Sequence, residues 1–376
     1  MPIRSELIAA YKYLIMLMLC VVIVDSLPAQ SRLELLHADF SRGELRGAQP
    51  VRILEGNVHI RQDSVEIHCD KAAYFPLLRK VELTGEVNII RGTENLTARK
   101  VTYYEDRKVA IAEGDVHTWQ KGRQLFADYL EHYYETDRVF ARGHVRILDP
   151  SRRLTVTAAR GEFDRQQNRS YVEKGAHLWQ VDSTGVDTLH IYARRLSYGF
   201  SNDRVAIARD SVKIIYQNLT ATCDSAIYFI DEEKAYLRIH PRARQDQNFL
   251  SGTEMELLLH NLNVHQINVQ GQAKALSHPV DNPKEENRLE GKRIIMKIEQ
   301  RKLKELWAIN NASSYYHLQD QNEAQGINEA TADTIRVYFK NSELDSISVI
   351  GGSQGTYFPA DYQKPPREKK NDQRPR

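Results

Sequence analysis

Cysteine is scarce in this chain: 3 residues in 376. Cys20 lies in an N-terminal apolar run, and Cys69 and Cys223 are far apart. No CxxC and no Cys/His cluster occurs, so neither a zinc knuckle nor a disulfide framework is supported. Long hydrophobic runs are equally rare. The longest, Tyr13 to Val24, has 12 residues, and a membrane-spanning helix needs roughly 20. Charge of one sign is missing as well. The formal net charge is +2, and Lys and Arg are interleaved with Asp and Glu. A nucleic-acid binder would show a basic stripe instead. Proline is sparse at 12 residues, and no nucleophile elbow, P-loop, zincin motif or dinucleotide fingerprint is present. With them go the enzyme classes that those signatures announce. No catalytic residue, cofactor or metal ligand is expected.

What is present is enough apolar material for a core, 41% of residues, with 19 tyrosines. That excludes wholesale disorder and favours strands. Residues 1–29 have the form of a secretory signal: Arg4 and Lys12, the apolar run, then Asp25-Ser26-Leu27-Pro28-Ala29. Cleavage is expected after Ala29, the rival being an uncleaved anchor. Residues 361–376 are charged and Pro-rich and read as a disordered tail.

Between these ends one phrase returns. It reads Glu55-Gly56-Asn57-Val58-His59-Ile60, then Thr84-Gly85-Glu86-Val87-Asn88-Ile89, Glu113-Gly114-Asp115-Val116-His117-Thr118 and Arg142-Gly143-His144-Val145-Arg146-Ile147. Its glycines are 29 residues apart three times running. Such a period marks a stacked repeat architecture. A second phrase follows each: an apolar residue, a spacer, then Cys or Ala. Examples are Ile67-x-Cys69, Leu96-x-Ala98, Leu125-x-Ala127 and Val156-x-Ala158. Cys69 and Cys223 thus share one repeat position, where a small buried hydrophobe is wanted. Val172 to Gln180 and Ala208 to Ile214 continue the glycine phrase in degenerate form, and fainter echoes fall at Gly271 and Gly351-Gly352.

Apolar residues two apart with polar ones between them give a strand with one buried face. Each repeat should hold two to four short strands of about six residues, with the glycine bending the chain at a strand's start. One repeat cannot close a core, but a stack can. Strand organisation is expected over 30–230, and in more divergent form over 231–360.

The phrase apolar-x-Gly-x-Val, a polar turn, then apolar-x-Ala-Asp/Arg resembles the OstA-like family, the LptA-type proteins of lipopolysaccharide transport. The best matches are Leu54 to Val58, Leu83 to Val87 and Ala112 to Val116, with Leu36-His37-Ala38-Asp39 as an opening strand. The resemblance implies an all-β fold: an elongated, V-shaped antiparallel β-jellyroll slab, open at both ends. It implies a non-enzymatic carrier in the periplasm, associated with the outer membrane, that shelters the acyl chains of lipopolysaccharide. Partners would be other transport proteins, joined end to end by strand addition, with self-association of the chain. The inner-face positions, from period-two facing, are Val58, Ile60, Ile67, Val87, Ile89, Leu96, Val116, Leu125, Val145, Ile147 and Val156.

His59, His117 and His177 share one repeat position and are read as solvent-facing strand residues, as is His144. Trp119 and Trp179, also repeat equivalents, are read as a packed rim or as lipid contacts. Asp70, Arg99, Asp128, Arg194 and Asp224 alternate in sign, which suits cross-strand pairs on an outer face. Two other readings stand beside the carrier. One is an exported structural or adhesive β-solenoid that binds protein. The other is a carbohydrate-active β-helix enzyme, which would need paired carboxylates at a fixed facing position.

Overall fold

The computed structural model describes residues 33–62, 64–164, 166–181, 185–199, 205–260, 263–278, 285–300, 302–320, 323–340 and 343–361. The expected signal segment, and all but the first residue of the expected tail, lie outside them. The chain divides into two compact units, Met1–Ala235 and Tyr236–Arg376.

The first unit opens with β1 (Leu33–His37) and β2 (Phe40–Arg46). Twelve long strands follow: β3 (Gln49–Gln62), β4 (Val65–Phe75), β5 (Lys80–Arg91), β6 (Glu94–Tyr104), β7 (Val109–Gln120), β8 (Arg123–Tyr133), β9 (Arg138–Asp149), β10 (Leu154–Asp164), β11 (Arg169–Val181), β12 (Thr188–Gly199), β13 (Val205–Tyr216) and β14 (Leu219–Phe229). From β3 to β14 each pairs antiparallel with the next. The all-β antiparallel expectation is therefore met.

The strands are longer and fewer than the six-residue reading expected. β3 has 14 residues, β4 11, β5 12 and β6 11, so one repeat is two strands. The glycine also sits in mid-strand rather than at a strand's start. Gly85 (φ +74°) and Glu86 (φ +40°) are both left-handed, as are Gly56 with Asn57, Gly114 with Asp115 and Gly143 with His144. In β5 the register runs from Thr84 opposite Lys100 to Val87 opposite Ala98, so Gly85 and Glu86 together face Arg99 alone. This is a β-bulge, which bends the strand without ending it. Each bulge divides its strand into a leading arm ahead of the glycine and a trailing arm after it.

The bulge keeps apolar facing intact across the bend. Leu83 and Val87 flank it and belong to the same buried cluster, with Val58, Ala72, Ala98, Val101, Ala112, Val116, Leu130, Val139, Val145 and Phe163. Both arms thus share one interior. Cys69 and Cys223 are buried thiols with no disulfide between them. Burial pushes the Cys69 thiol up to about 11, as a small core residue requires.

β15 (Lys234–Arg238) crosses the boundary between the units. The second unit holds β16 (Arg242–Gln245), β17 (Asn248–Ser251), β18 (Glu254–His260), β19 (Asn263–Ser277), β20 (Asn287–Glu299), β21 (Lys302–Asp320), β22 (Glu323–Lys340), β23 (Glu343–Ile350) and β24 (Gln354–Pro359). The echo at Gly271 is a further bulge, with Gly271 at φ +71° and Gln272 at +50°. Asn310 and Asn311 (φ +63° and +55°) make the same bend in β21 without glycine.

Candidate functional site

The eleven inner-face positions lie together in the first unit. Val58, Val87, Val116 and Val145 are each 1% exposed, and Ile60 is also buried. Ile67, Ile89, Leu96, Leu125 and Ile147 are half-buried against the same cluster. Val156 packs on the adjoining one, made by Ala158, Val172 and Ala176. The register explains this grouping. Val58 pairs with Cys69 and Val87 with Ala98, so each valine meets a small residue across the ladder. The next row outward, Ile60–Ile67, Ile89–Leu96 and Leu125–Ile147, runs across neighbouring strands toward the ends of the trailing arms. The interior is therefore tight at the bend and more open two residues beyond it.

Where the arms meet again the contact is polar. Tyr134, after β8 on the leading side, is coupled electrostatically to Arg91 and Glu94 at the β5–β6 turn of the trailing side. Burial raises the phenol pKa of Tyr134 and of Tyr103, whose rings meet edge to face at 6.0 Å. Burial also lowers that of Arg91. Further along, Arg152 on the trailing side interacts with Tyr198 on the leading side. An apolar interior is thus bounded by a seam of tyrosine and arginine.

The outer faces carry charge and rings. Arg99 bonds Asp115 at 2.5 Å and Asp128 bonds His144 at 2.8 Å, so these two members of the alternating-sign row are cross-strand pairs, as expected. They have a second role. A Cβ on Gly85 would meet the Asp70 carboxylate at 2.1 Å, and one on Gly143 would meet Asp128 at 2.2 Å. In these repeats the residue after the small position lies over the next glycine, so space as well as φ demands glycine there. Trp119 and Trp179 face outward. Each stacks on the histidine two residues before it, at 4.6 and 4.8 Å. His117 also stacks on Phe126 at 4.2 Å, with Arg146 over that ring. These tryptophans are a packed outer row, on the face away from the valines. The three histidines are half-buried in such stacks rather than simply solvent-facing.

With this geometry in view the chain was compared with known proteins. Residues 30–184 match the OstA-like protein family. The matched stretch is similar to an OstA-like domain. It covers β1 to β11 and the eleven inner-face positions. No curated protein matches the chain. Among solved structures, the chain is similar to LptH, the LptA homologous periplasmic component of the conserved lipopolysaccharide transport device from Pseudomonas aeruginosa. Identity is 17%, the match covers 35% of this chain and 82% of that one, and the TM-score is 0.28.

Proposed function

We propose that the protein is a non-enzymatic periplasmic carrier that holds the acyl chains of lipopolysaccharide on their way to the outer membrane. The observation that carries this is the continuous apolar interior shared by both arms, whose row Ile67, Ile89, Leu96, Leu125, Ile147 and Val156 is only half-buried. An acyl chain gains roughly 0.8 kcal/mol for each CH₂ removed from water, so a row of such residues along successive strands is a fit lining. The family of the OstA-like domain supports the cargo. The valines at the bend supply a floor, since at 1% exposure they have no room for a guest. Lipid enters from the end of the sheet, since the arms are in contact along the tyrosine–arginine seam.

Docking to other transport proteins follows from the terminal strands. Among the described residues β1 and β2 pair with β3 alone, one on each half of it, and β23 and β24 divide β22 in the same way. Leu35, Leu36, Phe40 and Leu45 are exposed at one edge, and Ile347, Val349, Ile350 and Tyr357 at the other. Such edges are templates for strand addition, between carriers or between copies of this chain.

A photo-crosslinking residue at Ile89 or Leu96 tests the reading in cells. Lipopolysaccharide adducts are expected there and not at Thr97, which follows Leu96 on β6 and faces outward. Equal labelling at all three sites, or none, overturns the carrier. Depletion of the protein should also reduce lipopolysaccharide at the cell surface.

A further inference from the structure

The histidines that recur from repeat to repeat are too far apart to act together, since β3, β7 and β11 are four strands from one another. Hairpin register makes a different grouping. His59 on β3 lies directly opposite His68 on β4, and Arg61 lies opposite Glu66. His68 and Glu66 are two apart on one strand and share a face. Three ligating side chains are thereby gathered on the outer side of the β3–β4 hairpin.

Their atoms converge. His59 Nε2 is 3.6 Å from Glu66 Oε2, and His68 Nε2 is 3.9 Å from the same oxygen. One ligand atom from each residue lies within 4.8 Å of the others. Two ligands bound at 2.0–2.1 Å to a tetrahedral zinc ion stand about 3.3 Å apart. Side-chain rotations that draw these atoms together by up to about 1.5 Å close the remaining gap. His59 Nε2 is also shut off from solvent without a hydrogen-bond partner, a state that calls for an explanation in a polar atom. The imidazoles stack at 4.1 Å. Arg61, opposite Glu66 in the ladder, is held at 2.8 Å by Glu34 on β1, and the Glu66 carboxylate faces the two rings.

We propose that His59, Glu66 and His68 form a binding site for a divalent transition-metal ion. Two imidazoles and one carboxylate favour zinc, copper or nickel over magnesium or calcium, which require mainly oxygen ligands. The sequence reading expected no metal. Among the described residues no other group of three assembles in this way: His177 has His190 at 3.1 Å but no acidic third member, and His117 is enclosed by Trp119 and Phe126. The site lies on the face opposite the apolar lining and is independent of the carrier function.

The test is titration of the metal-free chain, without a polyhistidine tag, with zinc chloride by calorimetry, and with cobalt by its visible absorption. One ion per chain is expected, with magnesium giving no response. His59→Ala and His68→Ala should each weaken zinc affinity about tenfold or more, and Glu66→Gln should do so while leaving the imidazoles in place. His144→Ala, an exposed histidine in the same unit, should bind as the parent does. Circular dichroism confirms that each variant is folded; Glu66→Gln decides the matter if a histidine variant is not. Zinc uptake well below one equivalent, or unchanged affinity in the folded variants, overturns the site.

Discussion

The third and eleventh strands solve the same bending problem with different residues. In β3, as in β5 and β9, glycine takes the first bulge position and an aspartate of the preceding segment lies over it: Asp39 on Gly56, Asp70 on Gly85, Asp128 on Gly143. In β11 the first position is Lys174 (φ +65°) and the glycine has moved to the second, Gly175 (φ +74°). The repeat equivalent of Asp70 there is Ala159, the residue after Ala158, and a Cβ on Gly175 would meet nothing within 4 Å. The bend therefore needs two left-handed residues, but it needs a glycine at the first position only where a large side chain covers it. Two demands that look like one in the sequence separate in the structure.

The largest effect should come from Gly85→Ala. It combines about 1–2 kcal/mol for left-handed backbone with about 1–3 kcal/mol for the collision with Asp70, and chemical denaturation should show a loss of roughly 3 kcal/mol. Adding Asp70→Ala should restore the collision part and leave the backbone part. A pair whose losses simply add would show that Asp70 is not the obstacle. Next comes Ala159→Asp, which places a carboxylate where Lys174 now has room. A loss of about 1–3 kcal/mol is expected, and Lys174→Gly in the same chain should rescue it. Lys174→Gly alone should stabilise by about 1 kcal/mol, since glycine adopts the left-handed region without the Cβ penalty. A destabilised variant would instead mean that the lysine side chain makes a contact the bend depends on.

The smallest effect concerns protonation in these same repeats. Burial lowers the His117 pKa, with Arg146 adding repulsion, against the bond that His117 donates to Gln124, and burial beside His190 lowers that of His177. Both rings take up a proton less readily when folded than when unfolded. Their contribution to stability is complete above the ordinary histidine value of about 6.5 and is lost as pH falls through the lower folded values. Partial exposure screens the effect. The unfolding midpoint should drop slightly between pH 7 and 5, and less so in His117→Gln.

Much of this architecture was legible in the residues. The 29-residue period gave the stacking, and spacing by two placed Val58, Val87, Val116 and Val145 on one buried face. Strand length was not legible, because a glycine flanked by polar residues reads as a boundary. The second left-handed residue carries no consistent mark: Asn57 is of a type that favours this conformation, but Glu86 is not. The family resemblance was carried by the repeat phrases, but the His59–Glu66–His68 grouping was missed. It depends on which residues face each other across a hairpin. Centring the turn between residues 63 and 64 would have paired 59 with 68.

A period of two strands has a further result. After each pair the backbone again runs in its starting direction and the same side is again greasy, so a whole copy can be inserted or removed without inverting anything downstream. At roughly 4.8 Å per strand, duplication would lengthen the unit in steps of about 9.6 Å. Reach can then be adjusted copy by copy while the pleat stays in phase.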